Sequence, residues 1–277
     1  MAVAHNTDRR FGGVRRLYGD AACSAFRQAH VGVIGVGGVG SWAAEALARS
    51  AIGRVTLFDM DHIVESNVNR QLHALDGAFG KAKVIAMAER LCAINPECGV
   101  TAIEDFVTPE NLEEMLERDF DRLIDCADNF RVKAAIVAHC KRRKIRIVTV
   151  GAAGGLTDPL GVKITDLSRT VQDPLLARTR KQLRARHGFT RNLKRRFDIP
   201  CVCSEAQLTY YAADGGVTRK KPTRRSMSSS ALSCAGGMGS VMTVTATFGL
   251  VAVSHVLKRL AASARKADIP QQEDACV

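Results

Sequence analysis

Short apolar runs bounded by turn residues recur through the first half of the chain, at Val31–Gly35, Val55–Asp59, Val100–Glu104, Leu123–Asp125 and Ile145–Val150. Between them, apolar residues recur at helical spacing over Val39–Ser50, Lys81–Ile94, Pro109–Glu117 and Arg131–Arg143. Strand alternating with helix predicts a mostly parallel sheet with crossover helices on both faces, a Rossmann-like, doubly wound α/β fold. After Gly151 the pattern changes. Glycine-rich turns lead to a predicted strand at Val162–Asp166, a basic stretch over Arg178–Arg196 and a short apolar piece at Pro200–Cys203. Polar residues over Asp214–Ser230 predict a mobile loop. The chain thus divides into a nucleotide-binding domain over 9–151, a basic α+β extension of the same fold over 152–266, and a loose tail over 267–277.

Ser226 to Leu257 holds no Asp, Glu, Lys or Arg, long enough on paper to cross a bilayer. The stretch is also rich in Ser, Thr and Gly. A buried helix over about Gly239–Ala261, packed on a sheet or across a dimer interface, explains it more simply than a membrane span.

Composition sharpens the picture in two places. Of the net charge of +12, +1 belongs to residues 1–150 and +11 to the remainder, so the second half is where a polyanionic partner is expected. The basic stretch carries Arg178, Lys181, Arg184, Arg191, Lys194, Arg195 and Arg196, the candidate RNA contacts. Phe189 and Phe197 interleave with it, as stacking platforms or as core. A second cluster is Arg219, Lys220, Lys221, Arg224 and Arg225. Nine cysteines without an apolar leader read as reduced thiols in a cytoplasmic protein. Cys201 and Cys203 lack the paired C-x-x-C spacing of structural zinc, which is not expected.

The chemistry begins at Gly35-Val36-Gly37-Gly38-Val39-Gly40, a G-x-G-x-x-G loop between strand and helix. Glycines there allow the tight turn and let backbone amides approach a phosphate at the helix N-terminus. Asp59, at the end of the second strand, suits ribose hydroxyls. To this point a dinucleotide and ATP fit equally. Arg70, Lys83 and Asp128 tip the balance, because a triphosphate needs cations over its outer phosphates and a carboxylate for magnesium.

The pattern D-x-D-x-[IV]-x-x-S-N-[LV]-x-R-Q over Asp59–Gln71, with Lys83 and the D-x-x-D-N of Asp125–Asn129, resembles the ubiquitin-activating-enzyme-like superfamily. The segments Arg10–Gly19, Gly154–Pro159 and Val244–His255 resemble one branch, the tRNA threonylcarbamoyladenosine dehydratases. The resemblance implies ATP and magnesium, a tRNA substrate, a homodimer and ATP-dependent cyclisation of the modified adenosine beside the anticodon. It also admits a cysteine desulfurase or sulfur-acceptor partner. By position it sets Gly37 and Gly40 against the nucleotide, Asp59 on ribose, Asn67, Arg70 and Lys83 on phosphates, and Asp128 on the metal. Gly35, Gly38, Asp61, Gln71 and Asn129 complete the implied ATP site, with Arg70, Lys83 and Asp128 as catalytic residues.

Two features depart from the superfamily. Its sulfur-carrier enzymes have paired C-x-x-C motifs, absent here, and their N-terminal arginine is replaced by Gly13, which leaves Arg10 or Arg16 to reach the phosphates. Conjugating relatives form a thioester on cysteine, a role for which Cys234 is a candidate although the implied reaction needs none. The alternatives are adenylation of a small ubiquitin-like sulfur carrier, and an NAD-binding module.

Overall fold

Each apolar run of the first half is a strand: β1 (His30–Ile34), β2 (Arg54–Phe58), β3 (Gly99–Ile103), β4 (Arg122–Asp125) and β5 (Ile147–Val150). The computed structural model describes residues 7–117, 119–212, 214–220 and 238–267. Cys234, Lys221, Arg224, Arg225 and the C-terminal tail lie outside the described residues.

Helices α3 (Gly40–Arg49), α4 (Lys83–Ile94), α5 (Leu112–Leu116) and α6 (Phe130–Arg143) connect these strands, and α7 (Pro174–Arg186) follows β6 (Val162–Asp166). The sheet order is β3-β2-β1-β4-β5-β7-β6. All neighbours are parallel except the antiparallel pair of β6 with β7 (Pro200–Ser204). Apolar side chains alternate between the two faces. Val31, Val33, Val55 and Leu57 pack under α3 and α4, whereas Phe58 and Leu123 face the α5, α6 and α7 side. Helices on both faces explain why β1 is buried at every position.

The predicted strand Val31–Gly35 stops one residue early because Gly35 turns to φ +84°, a conformation that costs glycine nothing. Two N-terminal helices were not expected: α1 (Thr7–Tyr18) and α2 (Asp20–Gln28), whose Ala22 and Phe26 join the core. Pro200–Ser204 is a sheet strand between β5 and β6. Its brevity hid it, although burial of Cys201, Val202 and Cys203 on both faces leaves no other role. The expected loop at Asp214–Ser230 contains β9 (Val217–Thr218), paired with β8 (Tyr210–Tyr211).

The uncharged stretch becomes α8 (Met242–Ala267). It is long and apolar enough to cross a membrane, yet 61% of its apolar window is buried inside the protein. Val244, Phe248, Ala252, Val256 and Leu260 recur every fourth residue on one buried stripe. Gly249 lets the helix sit directly on α3: a Cβ there would lie 2.6 Å from the Val39 carbonyl oxygen.

Candidate nucleotide site

The chain order of the strands reverses between β1 and β4, and a parallel sheet binds ligands outside the carboxyl ends of its strands at such a switch point. Gly35 leaves β1 there and Cys126 leaves β4, with the Cys126 amide donating to the Ile34 carbonyl at 2.8 Å. The loop needs its glycines for distinct reasons. A Cβ on Gly40 would lie 1.8 Å from the Gly35 carbonyl oxygen, so no other residue fits beneath the turn. On Gly38 it would meet the Arg70 side chain at 3.1 Å, and on Gly37 it would meet only the far end of Gln71. The face at Gly37 is therefore open to a ligand.

Asp59 braces this loop. Its two carboxylate oxygens accept the Val36 amide at 2.6 Å and the Asp61 amide at 2.9 Å. Burial raises its pKa, a shift opposed by the Lys83 charge and those two amides. Each oxygen retains a lone pair for a further donor.

The following segment is pinned to the start of α4 by three backbone bonds, from Ile63 to Lys81, Gly80 to Ile63 and Lys83 to Asp61. This fixes Lys83, which is buried and pairs with the Asp61 carboxylate at 2.6 Å. Asn67 is buried and caps its turn through Oδ1 to the Val64 amide. Arg70 bends back, donating to the Ser66 carbonyl at 2.8 Å and to Asn69 Oδ1 at 2.9 Å, with its stem against Gly38. Gln71 is buried beside His73, 3.1 Å from Gln71 Oε1 to Nε2. His73 itself carried no motif and was missed. Its Nδ1 is buried without a partner, and burial, helped by the Lys83 charge, pushes its pKa down to about 4.

Asp128 and Asn129 are both exposed at the end of β4. Asn129 caps α6, its Oδ1 accepting the Arg131 amide at 2.9 Å. Its side chain is thereby engaged in the helix start, and Asp128 is the exposed carboxylate next to it. Beneath them lies a network in which Asp125, the first residue of the D-x-x-D-N motif, meets Lys133 and Thr149, which carry no sequence signature, all three fully buried. Lys133 Nζ meets Asp125 Oδ2 at 2.8 Å, and the Thr149 hydroxyl donates to the same oxygen at 2.6 Å.

Other candidates fall elsewhere. Arg10 donates to the Ile94 carbonyl at 2.8 Å, at the end of α4 remote from Lys83. Phe197 is buried and belongs to the core, and half-buried Phe189 packs edge-on against it at 4.9 Å. Burial drives the thiols of Cys126 and Cys140 up to about 12.

The basic residues are arranged lengthwise. Both α6 and α7 start at the glycine-loop edge, since Asp173, the N-cap of α7, accepts the Ala152 amide just beyond β5. Arg178 lies near that edge, 5.9 Å from the Phe130 ring. Arg184 sits lower, 5.2 Å over Phe197. Arg191, Lys194, Arg195 and Arg196 are exposed at the far end, where Arg169 donates to the Lys194 carbonyl. Lys181 is exposed between them.

A doubly wound sheet with a glycine-rich loop, a loop-bracing carboxylate and a buried lysine at its switch point defines an α/β protein of the nucleotide-binding class. The chain belongs to the ThiF family, which matches residues 11–273. It is 48% identical to the tRNA threonylcarbamoyladenosine dehydratase of Escherichia coli, over 93% of this chain and 96% of that protein. Identity to the Haemophilus influenzae protein of the same name is also 48%, over 94% of this chain and 96% of that one. The solved E. coli enzyme in complex with ATP superposes with a TM-score of 0.83 at 44% identity, covering 96% of this chain and 99% of that chain. Its complex with AMP gives 0.84 with the same identity and coverage.

Proposed function

We propose that this protein is an ATP-dependent tRNA threonylcarbamoyladenosine dehydratase. The near full-length 48% identity to enzymes of that name carries the reading, and the glycine-loop site supplies its chemistry. Cyclisation removes a carboxylate oxygen as water, which is a poor leaving group at neutral pH. In the proposed reaction the threonyl carboxylate attacks the α-phosphorus of ATP, expelling pyrophosphate and forming an acyl adenylate. An atom of the neighbouring carbamoyl group then attacks the activated carbonyl, closing the ring and releasing AMP. The carboxylate oxygen leaves on AMP, so the nucleoside loses one water. The relative's complex with AMP supports attack at the α-phosphorus.

The site residues divide this work. The amides of the Gly35–Gly40 loop and the start of α3 receive phosphate oxygens, Asp59 and Asp61 face the ribose side, and Asn67, Gln71 and Asn129 shape the surrounding walls. Arg70 and Lys83 stabilise charge on the phosphoryl oxygens, an effect worth roughly 3 kcal/mol for one such donor. Lys83 must exchange its bond to Asp61 for a phosphate oxygen, and Arg70 must swing out from Ser66. Among the described residues no cluster of three or more His, Cys, Asp or Glu is placed to hold a metal. Magnesium commonly uses one or two carboxylates together with substrate phosphates; exposed Asp128 fits that donor set, and the ion would supply charge neutralisation.

A tRNA substrate puts the protein in the cytoplasm and gives the basic residues from Arg178 to Arg196 a polyanion to bind. The homodimer is part of the proposal. Exposed Val64, Val68, Leu75 and Phe79, clustered in sequence beside the site, support it.

The test is incubation of the protein with ATP and tRNA carrying threonylcarbamoyladenosine, followed by nucleoside mass analysis. Loss of one water is expected with wild type, and not with Lys83→Ala or Asp128→Ala variants that remain folded. Normal turnover by either variant removes the assigned site. Absence of any ATP-dependent mass change with wild type removes the function.

A further inference from the structure

At the end of the sheet opposite the glycine loop, the starts of β4, β5 and β7 and the last turns of α8 enclose a cleft of about 560 Å³. Its cations are Arg122, Lys141, Lys144, Arg146 and Arg259, with His255 beside them; its one acid is Asp198, which is held by Lys141 at 3.1 Å. Arg122 is only 8% exposed, and its Nε has no hydrogen-bond partner. The nearby Asp121 carboxylate is engaged by the His30 amide at 2.8 Å. Burial and repulsion from Arg146 lower Arg122 to about 10, partly offset by the Asp121 charge, with Arg259 adding further repulsion.

A buried guanidinium with an unmet donor, walled by further cations, is costly unless an anion completes it. We propose that this cleft binds a phosphate group, and that in the working complex the phosphate belongs to the tRNA backbone. The choice of RNA rests on the function proposed above and on continuity. The cleft is flanked by two exposed basic runs at the same end of the sheet, Lys141–Lys144 with Arg146, and Arg191–Arg196 apart from Asn192 and Leu193. From there Arg184, Lys181 and Arg178 lead up α7 to the glycine-loop edge. That helix of 13 residues spans about 20 Å. A free phosphate would need only the pocket. A cation track running its whole length suits a polyanion with its modified nucleotide at the top and a flanking stem anchored below.

Arg146→Glu and Arg259→Glu test this, because both side chains are exposed and neither change touches buried Arg122. Lys163→Glu, on the edge strand β6, is the equal-charge control. Filter binding of tRNA at two salt concentrations is expected to show about tenfold weaker affinity for each cleft variant and a salt slope shallower by about one. The control should change little. In parallel, inorganic phosphate alone is expected to raise the melting temperature of wild type more than that of Arg259→Glu.

Loss of both responses in the cleft variants supports the proposal. Loss of the phosphate response with tRNA affinity intact assigns the cleft to free phosphate and overturns its RNA role. Cleft variants matching the control in both assays overturn the site altogether. A wild-type protein that shows the phosphate response but neither binds nor dehydrates tRNA overturns the RNA role and the proposed function together, leaving a phosphate cleft.

Discussion

Replacing Lys133 by Met removes the cation from the only fully buried ion pair among the described residues. Asp125 and Lys133 are each 0% exposed in their side chains and meet at 2.8 Å. Lys133 also donates to the Asp125 carbonyl at 3.1 Å and lies 3.2 Å from the Thr149 hydroxyl. Methionine fills nearly the same volume, so packing is conserved and the change is electrostatic. It leaves the Asp125 carboxylate with the Thr149 hydroxyl and the Ala127 amide at 3.0 Å, but with no counter-charge. Stripping one partner from such a pair costs about 3–5 kcal/mol, whereas replacing both by apolar groups is often close to neutral. Against a total domain stability of roughly 5–15 kcal/mol, the single change is severe. The double variant Lys133→Met/Asp125→Leu should recover much of the loss. Activity should follow a different course. Asp125 Oδ1 holds the Ala127 amide, and with it the turn that presents Asp128, so the stability-rescued double variant should still dehydrate tRNA at least about tenfold more slowly, a misplacement effect. Urea unfolding of the three proteins, with ATP-dependent turnover measured below their transitions, decides the matter. A Lys133→Met variant within about 1 kcal/mol of wild type would refute the electrostatic account, and a fully active double variant would refute the link to Asp128.

Three further outcomes are expected. Gly40→Ala drives a Cβ to 1.8 Å from the Gly35 carbonyl oxygen, so calorimetry should find ATP binding lost, and affinity close to wild type would show that the loop relaxes freely. His73, held at about 4 by burial and Lys83, has an ordinary value of 6.5; the unfolded chain therefore binds the proton first as pH falls. Its contribution is full above pH 6.5 and is lost between 6.5 and 4, by about 3 kcal/mol at most. His73→Gln should flatten the acid limb of a stability–pH curve, and an unchanged slope would show that His73 does not drive it. Charge reversal at Arg195 and Arg196, exposed at the far end of the basic track, should weaken tRNA binding by more than tenfold at low salt while ATP binding measured by calorimetry stays intact; equal tRNA affinity at both salt concentrations would make that track idle.

The alternation of apolar runs and helical spacing determined the parallel core of this protein, because a strand buried on both faces has to be apolar throughout and its crossovers have to be amphipathic. The glycine loop, Asp59, Lys83 and the Asp125–Asn129 turn could be placed at the carboxyl ends of the strands from sequence, because close backbone approach restricts residue type at fixed spacing. Composition alone could not place Pro200–Ser204 in the sheet, since five residues carry too short a run to show a period. The Ser, Thr and Gly content of α8 favoured a buried helix over a membrane span, but only the contact at Gly249 shows which surface it covers. The tertiary structure alone assembled Lys133, Asp125 and Thr149, and it alone gathered Arg122, Arg146 and Arg259 at one end of the sheet. Within each group the residues come from different strands, helices or strand approaches. Their chemistry exists only where strand ends and helix termini converge, and sequence spacing carries no trace of that convergence.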